Sequence, residues 1–295
     1  MELDMTIGNL SISSYTGFNR FSDFMRSSSL SSSSRQFVSD KSMNKYLLDA
    51  ICHDEFELVY QPQTDIFGHN VVGVEALLRW NSSKLGCVSP SVFIPLAEKT
   101  GLILDIGKLV IDKACAQAAI WKKRYSSNIR IAVNVSYMQV HDNSIVQYIE
   151  SCLNKHELDK DALEIELTES SLITDKSKVI RVLNELKDIG IRTAIDDFGT
   201  GYSSLSYLAS MPFSLIKIDK SFISLLGVNA ATTAITQSII ELSKKLEMDV
   251  LAEGVETLQQ KSILIQSECD FMQGNLFCCP VGAEKIPEIA GLDKS

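Results

Sequence analysis

The 295-residue sequence has few of the residues that several common classes of protein site require. Its four histidines include no pair at helical spacing, and its seven cysteines include no Cys-x-x-Cys motif. A histidine-rich zinc site is therefore not expected, and any metal should be held by oxygen ligands. The odd number of scattered cysteines also argues against a disulfide framework and favours reduced thiols in a cytoplasm.

Positive charge and long apolar runs are also scarce. The 28 Lys and Arg residues face 37 Asp and Glu residues, which gives a formal net charge of −9. This balance argues against a DNA or RNA polymer, or an anionic membrane surface, as partner. No stretch approaches the roughly 18 apolar residues of a membrane span. The first residues lack the basic start and apolar run of a signal peptide, so the expected location is the cytoplasm.

The composition that remains is typical of a globular protein, with 45% hydrophobic and 22% charged residues. Residues 1–40 are the exception, because they contain a serine-rich tract at 27–34 that is typical of flexible segments. We therefore predict a flexible N-terminal arm over residues 1–40 and a folded domain over residues 41–291.

Strand and helix patterns alternate along the predicted domain. Segments Phe56–Gln63 and Val71–Trp80 read as two strands joined by a short polar loop, which predicts a hairpin. Later segments include one expected helix over Gln139–Leu153 and a last strand over Phe271–Phe277. Eight strands with helices between the later seven predict an α/β fold, a modified (β/α)8 TIM-type barrel that opens with the hairpin.

Polar residues occupy the ends of seven consecutive predicted strands, and five of them are carboxylates. Such a barrel works its chemistry at the carboxyl ends of its strands, so these side chains should converge. Any one acid alone is better explained as a surface or internally paired residue, and Asp196-Asp197 alone as a solvated turn. Five converging carboxylates with a single lysine would repel one another, whereas Mg²⁺ or Mn²⁺ would balance them. The residues are Glu75, Asn134, Glu166, Asp196 with Asp197, Lys217, Glu253 and Gln273.

Seven short motifs extend these strand-end residues: Glu75-Ala-Leu-Leu-Arg79, Asn134-Val-Ser136, Glu166-Leu-Thr-Glu169, Asp196-Asp-Phe-Gly-Thr-Gly201, Lys217-Ile-Asp219, Glu253-Gly-Val-Glu256 and Gln273-Gly274. In these motifs and their order the sequence resembles the EAL domain family over about residues 55–281. The resemblance implies a barrel whose first strand is antiparallel to its neighbours. It also implies hydrolysis of cyclic di-GMP to linear 5′-pGpG with Mg²⁺ or Mn²⁺.

The resemblance implies a two-metal site in which Asp196 bridges the ions and Asp197 completes the second position. The first ion would be held by Glu75, Asn134, Glu166 and Asp196.

The resemblance also implies roles for residues around the ions. Glu253 would act as ligand or base, Lys217 would position the attacking water, and Gln273 would orient the water network. Glu169 would tether the loop that starts at Asp197. Substrate contacts would come from Arg79 and Gln61, and a homodimer would form near the Asp197–Ser204 loop.

Two departures from the family pattern bear on substrate affinity. Ser82-Ser83 stand where the family commonly has His-Pro, and Asn275 stands where it often has Tyr. Two other functions stay open at this point. One is a catalytically weak cyclic di-GMP receptor or protein-interaction module on the same fold, and the other is a glycosidase built on paired carboxylates.

Overall fold

The structure is a computed structural model that describes residues 40–172, 175–200, 208 and 210–292. Except for residue 40, the predicted flexible arm lies outside these residues. So do a short helix expected near Leu205 and residues 201–204 of the loop that starts at Asp197. No helix in the described ranges is long and apolar enough to cross a bilayer.

Nine strands within the described residues form one sheet, and eight of them close into a barrel. β1 is antiparallel to both of its neighbours, β2 and β9. The other seven barrel strands, β2 and β4 to β9, run parallel to one another. This topology confirms the modified (β/α)8 barrel with an antiparallel first strand. The strands are β1 (Phe56–Asp65), β2 (Val71–Ser82), β3 (Gly86–Val88), β4 (Arg130–Val135), β5 (Leu163–Thr168), β6 (Arg192–Phe198), β7 (Leu215–Ile218), β8 (Asp249–Ala252) and β9 (Phe271–Gln273).

Helices of the described residues precede, connect and follow these strands. The α-helices are α1 (Asp40–Cys52), α2 (Pro90–Thr100), α3 (Ile103–Tyr125), α4 (Tyr137–Val140), α5 (Ile145–Lys155), α6 (Lys176–Asp188), α7 (Lys220–Ile223), α8 (Ala230–Lys245), α9 (Leu258–Gln266) and α10 (Ile286–Ile289). Short 3-10 turns occupy Lys160–Ala162, Glu169–Leu172 and Ala283–Lys285.

The longest of these helices, α3, shows how the sequence fixes a helix against the barrel. Its buried residues recur at helical spacing, among them Ile103, Ile106, Val110 and Ala114. Near its end, the Trp121 ring packs edge-on against Tyr60 of β1, with centroids 5.1 Å apart. Lysine and arginine fill the last turn, where they complement the partial negative charge of the helix end.

Besides shifts of one or two residues at element ends, three features of the fold differ from the sequence prediction. The single helix expected over Gln139–Leu153 is two helices, because Asp142 accepts hydrogen bonds from the backbone and hydroxyl of Ser144 and so favours a turn. The last strand ends at Gln273, since Gly274 packs directly on the backbone of Val255 and the chain turns there. The three-residue β3, paired with the end of β2, was not predicted, because it is too short to show a period.

Candidate active site

The barrel brings all the polar strand-end residues of the sequence prediction to one end. Parallel pairing aligns Asn134 of β4 with Glu166 of β5, and Thr168 of β5 with Asp196 of β6. Asp196 and Asp197 are still part of β6, whereas Glu253 follows β8 and its backbone N–H donates to the Ile218 carbonyl. The remaining members of the set lie on other strands: Glu75 on β2, Lys217 on β7 and Gln273 on β9.

Lys217 lies at the centre of this set and is fully buried. Its Nζ atom is 2.7 Å from Glu166 Oε2, 2.7 Å from Glu253 Oε1, 3.1 Å from Asp196 Oδ1 and 3.8 Å from Glu75 Oε1. One ammonium therefore faces four carboxylates, and Asp197 adds a fifth beside them. The carboxyl end of the barrel carries a surplus of buried negative charge.

This surplus shows in the proton affinities of the acids. Burial raises the pKa of Glu166 well above its usual range. The charge of Lys217 lowers this pKa, whereas the charges of Glu75 and Asp196 raise it. Burial likewise raises the pKa of Glu253 to about 8, although Lys217 lowers it. The carboxylates in turn raise the pKa of Lys217 well above its usual range, against the effect of burial. A cation bound among these acids would favour their ionised forms and so displace protons from them.

The oxygen atoms of these acids fit two adjoining cation positions. One group within 4.8 Å consists of Glu75, Glu166 and Asp196, and the other of Asp196, Asp197 and Glu253. Asp196 belongs to both groups. Within the first group, Glu166 Oε1 is buried and has no hydrogen-bond partner. The donor set is all oxygen, which is the chemistry that Mg²⁺ and Mn²⁺ prefer.

Amide side chains fix the first of these groups. Asn134 Nδ2 donates to Glu75 Oε1 at 2.8 Å, and Gln273 Nε2 donates to Glu75 Oε2 at 2.6 Å. Gln273 Nε2 also lies 3.1 Å from Gln61 Oε1, and Gln61 Nε2 donates to the Cys278 carbonyl at 3.2 Å. Sequence reasoning missed the Cys278 carbonyl as an anchor, because a backbone acceptor leaves no residue-type signal.

The chain after Asp196 is held in an unusual conformation. Asp197 has φ of 54°, in the left-handed region that residues other than glycine seldom adopt. Its backbone N–H donates to Asp196 Oδ1 at 2.9 Å, and its carbonyl accepts from Thr200 Oγ1 at 2.8 Å. Burial, followed by the charge of Asp196, raises the pKa of the Asp197 carboxyl. Strain of this kind persists only where surrounding contacts enforce it, which is common at functional sites.

Glu169 supplies one of these enforcing contacts. It is a buried residue of the 3-10 turn after β5, and its Oε2 accepts the Gly199 backbone N–H at 2.8 Å. The expected hydrogen bond from Glu169 to the glycine-rich segment is therefore present. A side chain at Gly199 would collide with Phe222, so this segment is also packed from the other side.

A cleft of about 590 Å³ adjoins the acidic site at the ends of β2, β4 and β5. Arg79, Asn134, Ser136 and Thr168 contribute polar groups to its wall, and apolar residues of α2 and α3 complete it. Its volume and mixed lining suit a small-molecule ligand. Gln61 lies on β1, the neighbour of β2 on the side away from β4, where its amide is engaged as described.

The two departures from the family pattern lie away from this cleft wall. Ser82 and Ser83 line a separate surface groove, and the Ser83 N–H donates to Glu55 Oε1 at 3.0 Å. Asn275 is exposed in the turn after β9.

A family model of the EAL domain matches residues 44–280 of this sequence. The chain belongs to the EAL domain family. Together with the topology above, this membership confirms the family resemblance that the motifs indicated.

EAL relatives at high similarity come from Pseudomonas aeruginosa. MucR, a bifunctional diguanylate cyclase/cyclic di-GMP phosphodiesterase, is 39% identical over 240 residues, which cover 81% of this chain and 35% of MucR. A cyclic di-GMP phosphodiesterase of the same organism is 40% identical over 233 residues, covering 79% of this chain and 40% of the relative. The chain spans about a third of the length of the curated relatives it matches.

Solved EAL structures share the fold. The structure of the MucR phosphodiesterase in complex with c-di-GMP superposes with a TM-score of 0.79 at 38% identity. The match covers 83% of this chain and 99% of that one.

Proposed function

We propose that this protein is a phosphodiesterase that hydrolyses cyclic di-GMP to linear 5′-pGpG with Mg²⁺ or Mn²⁺ as cofactor. The observation that carries the proposal is the pair of adjoining carboxylate groups that share Asp196 and exceed the charge of Lys217. The names of the two Pseudomonas relatives support the substrate, and so does the solved complex of the MucR phosphodiesterase with c-di-GMP.

In this proposal, Glu75, Asn134, Glu166 and Asp196 would hold one cation. Asp196 and Asp197 would hold the other, with Glu253 beside it. When bound, the two cations supply the positive charge that an anionic phosphodiester needs while a nucleophile approaches. The amides of Gln273 and Asn134 keep both oxygens of Glu75 oriented for this role.

The chain's own groups supply the remaining functions. Glu253 lies beside the second cation position, 2.7 Å from Lys217 Nζ, and would take a proton from the attacking water once the cations hold it in its ionised form. Lys217 holds a fixed positive charge against Glu253 and Glu166 and stabilises negative charge that develops next to it. Gln273 Oε1 is buried without a partner and offers an acceptor that orients water. Arg79, on the cleft wall, binds a phosphate oxygen of the substrate.

Three further assignments belong to the proposal. The catalytic domain spans residues 41–291, and residues 1–40 are an arm that catalysis does not need. All seven cysteines are free, which suits work in the cytoplasm. A homodimer that forms near the Asp197–Ser204 loop is the expected assembly.

The test is incubation of the purified full chain with cyclic di-GMP and Mg²⁺, with the products separated by chromatography. Accumulation of 5′-pGpG that stops with EDTA is the expected result. Binding of cyclic di-GMP without turnover in Mg²⁺ or Mn²⁺ would instead assign a receptor role on the same fold. Hydrolysis that survives EDTA would exclude the metal-dependent route.

A further inference from the structure

Two cysteines, Cys278 and Cys279, are adjacent in the turn after β9. Cys279 is exposed and Cys278 is half-buried, so a reagent from solution meets the Cys279 thiol first. Burial also raises the pKa of the Cys278 thiol, which further favours Cys279 as the first site of reaction. Cys278 Sγ donates to the Cys279 carbonyl at 3.1 Å, so the Cys278 thiol already lies against the backbone of its neighbour.

The peptide group between the two thiols belongs to a chain of hydrogen bonds that leads to the acidic site. Its carbonyl, that of Cys278, accepts from Gln61 Nε2 at 3.2 Å. Gln61 Oε1 accepts from Gln273 Nε2 at 3.1 Å, and the same Nε2 atom donates to Glu75 Oε2 at 2.6 Å. A change in the orientation of this one peptide group therefore reaches Gln61 first.

Backbone contacts on both sides of the two thiols limit where the chain can move. On one side, the Cys278 N–H donates to the Gly274 carbonyl at 3.2 Å. On the other, Val281 and Tyr60 of β1 exchange two backbone hydrogen bonds of 2.9 and 2.7 Å. The peptide group between the thiols lies between these fixed points, and its carbonyl is held by a side chain, so it can turn without breaking either of them.

A disulfide between neighbouring residues would make that peptide group turn. The Cα atoms of adjacent residues lie about 3.8 Å apart across a trans peptide bond, which is shorter than the roughly 4.4–6.8 Å of ordinary disulfides. The two sulfur atoms therefore meet only if the peptide between them twists. A bond formed under such strain is also readily reduced, which is typical of a reversible modification.

We propose that Cys278 and Cys279 form a reversible redox modification site, at which hydrogen peroxide closes a disulfide that releases Gln61 from the Cys278 carbonyl. In the first step the Cys279 thiolate attacks peroxide, so an S–O bond forms, the O–O bond breaks and hydroxide leaves. In the second step the Cys278 thiolate attacks the sulfenic sulfur of Cys279, so the S–S bond forms and a second hydroxide leaves. The two thiol protons convert both hydroxides to water, and the two sulfurs lose the two electrons that peroxide gains.

Release of Gln61 should weaken substrate binding, because Gln61 is one of the two residues expected to contact the substrate. This consequence rests on the proposed function. The disulfide and the movement of Gln61 do not, and both can be measured without substrate. The ordinary explanation of the two cysteines is packing in a turn, the usual role of a free cysteine, and it predicts neither result.

The test exposes the reduced full chain to a small molar excess of hydrogen peroxide. Cleavage before Asp270 separates Cys269 from the pair, and mass spectrometry of the resulting fragment measures the loss of two hydrogen atoms. We expect one such disulfide per chain, which dithiothreitol reopens. We also expect a shift of the Gln61 side-chain amide signal in NMR spectra, assigned with Gln61→Ala. Absence of the disulfide, or a disulfide that leaves this signal unchanged, would overturn the proposal.

Cysteine variants locate the effect. Cys279→Ser changes an exposed side chain and should abolish both the disulfide and the NMR shift. Cys87→Ser, which changes an exposed cysteine of β3, is the matched control and should keep both. A peroxide-induced shift that persists in Cys279→Ser, or is lost in Cys87→Ser, would contradict the assignment.

The active protein supplies a separate kinetic test. Oxidation should raise KM for cyclic di-GMP at least about fivefold and leave kcat within about twofold, as loss of one hydrogen bond in binding would do. After the same treatment, Cys279→Ser should keep the KM of the reduced parent protein. An unchanged KM in the oxidised parent would remove the link between the disulfide and the substrate. A chain that forms the disulfide and shows the NMR shift, but neither binds nor hydrolyses cyclic di-GMP, would refute the proposed function and support the redox site.

Discussion

The two ends of the barrel interior both contain buried carboxylates, but under different charge conditions. At the amino end, Glu164 of β5 is fully buried, with Arg130 Nε at 3.4 Å and Arg192 Nε at 3.2 Å from its Oε2. Arg192 also pairs with Asp249 at 2.7 Å. Two acids thus meet two arginines, and the charge is balanced without a further ion.

At the carboxyl end, two residues along the same strand, Glu166 is equally buried but has Lys217 as its cation. Lys217 is shared with three other carboxylates, so Glu166 receives only part of its charge. Glu164 and Glu166 point to the same side of β5, which makes them a matched pair in one strand.

Burial of an acid is therefore a poor sign of a metal site. Glu164 Oε1 and Glu166 Oε1 are both buried without a hydrogen-bond partner, so an unpartnered oxygen does not separate the two residues either. The two residues differ in the charges next to them, which are arginines at Glu164 and further carboxylates at Glu166. Uncompensated charge is the feature that points to a cation.

The largest expected difference between the two ends is in catalysis. Glu166→Gln should lower turnover of cyclic di-GMP by at least about 10²-fold, because an oxygen ligand loses its charge where the cation must bind. Glu164→Gln is the same change two residues away, at the opposite end of the barrel. It should leave turnover per folded molecule within about threefold, because changes at distant sites that share no contacts usually act independently. Initial rates at saturating Mg²⁺, with folded fractions from circular dichroism, give the comparison. Equal losses in both variants would remove the distinction.

The second expected difference, in stability, runs the other way. Glu164→Gln leaves Arg130 and Arg192 without their shared carboxylate. Breaking a fully buried pair costs about 3–5 kcal/mol, and we expect about 2–3 here because Arg192 is 32% exposed and keeps Asp249. Urea unfolding in EDTA measures the loss. In metal-free protein Glu166→Gln should be neutral or stabilising, because it removes one of the repelling acids, so a loss as large as that of Glu164→Gln would contradict the charge argument.

The third difference is in pH dependence. Glu253 has a pKa of about 8 in the folded protein against a usual 4.5, so between these values the folded state retains a proton that the unfolded state releases. Rising pH through this window therefore destabilises the metal-free protein. A bound cation replaces the proton, so the increase in Tm that Mg²⁺ causes should be larger at pH 8 than at about pH 5.5. In Glu253→Gln this difference between the two pH values should be smaller. An increase in Tm that stays constant with pH in the parent protein would refute the idea.

The geometry of the barrel decides which site residues the sequence could predict. Parallel strands bring their ends together, so Glu75, Glu166 and Asp196 were assigned to one site from strand position alone. The same parity rule places Glu164 inside the barrel, but it does not reveal that Arg130 and Arg192 neutralise it. Those partners lie on other strands, and only side-chain geometry pairs them.

Other features depended on contacts that no residue pattern encodes. The Cys278 carbonyl that anchors Gln61 is a backbone group. The break between α4 and α5 comes from a local turn at Asp142 that overrides the helical pattern. The bounds of residues 1–40 as an arm stay a prediction, since those residues other than 40 lie outside the part of the chain that the structure describes.

The smallest expected effect concerns Glu169, a buried acid at the carboxyl end that binds a backbone N–H of the segment carrying Asp197. Without this anchor, Asp197 in its strained conformation should leave the site part of the time. Glu169→Ala should therefore lower turnover by about tenfold and raise the Mg²⁺ concentration needed for half-maximal rate, although Glu169 lies in neither carboxylate group. Glu169→Gln keeps an acceptor for Gly199 and should recover most of the loss, which a purely electrostatic role would not allow.

A double-mutant cycle then decides whether Glu169 acts through the loop. If it does, Glu169→Ala adds little once Asp197→Asn has already weakened the second cation position, so the double variant should lose much less than the sum of the two single losses in free energy. Glu169→Ala combined with Glu164→Gln provides the matched control, because the two residues lie at opposite ends of the barrel. Their effects should add to within about 0.5 kcal/mol. Additive losses in the Asp197 pair as well would mean that Glu169 contributes independently of the loop, and the carboxyl end would then contain one more acid that, like Glu164, serves the fold alone.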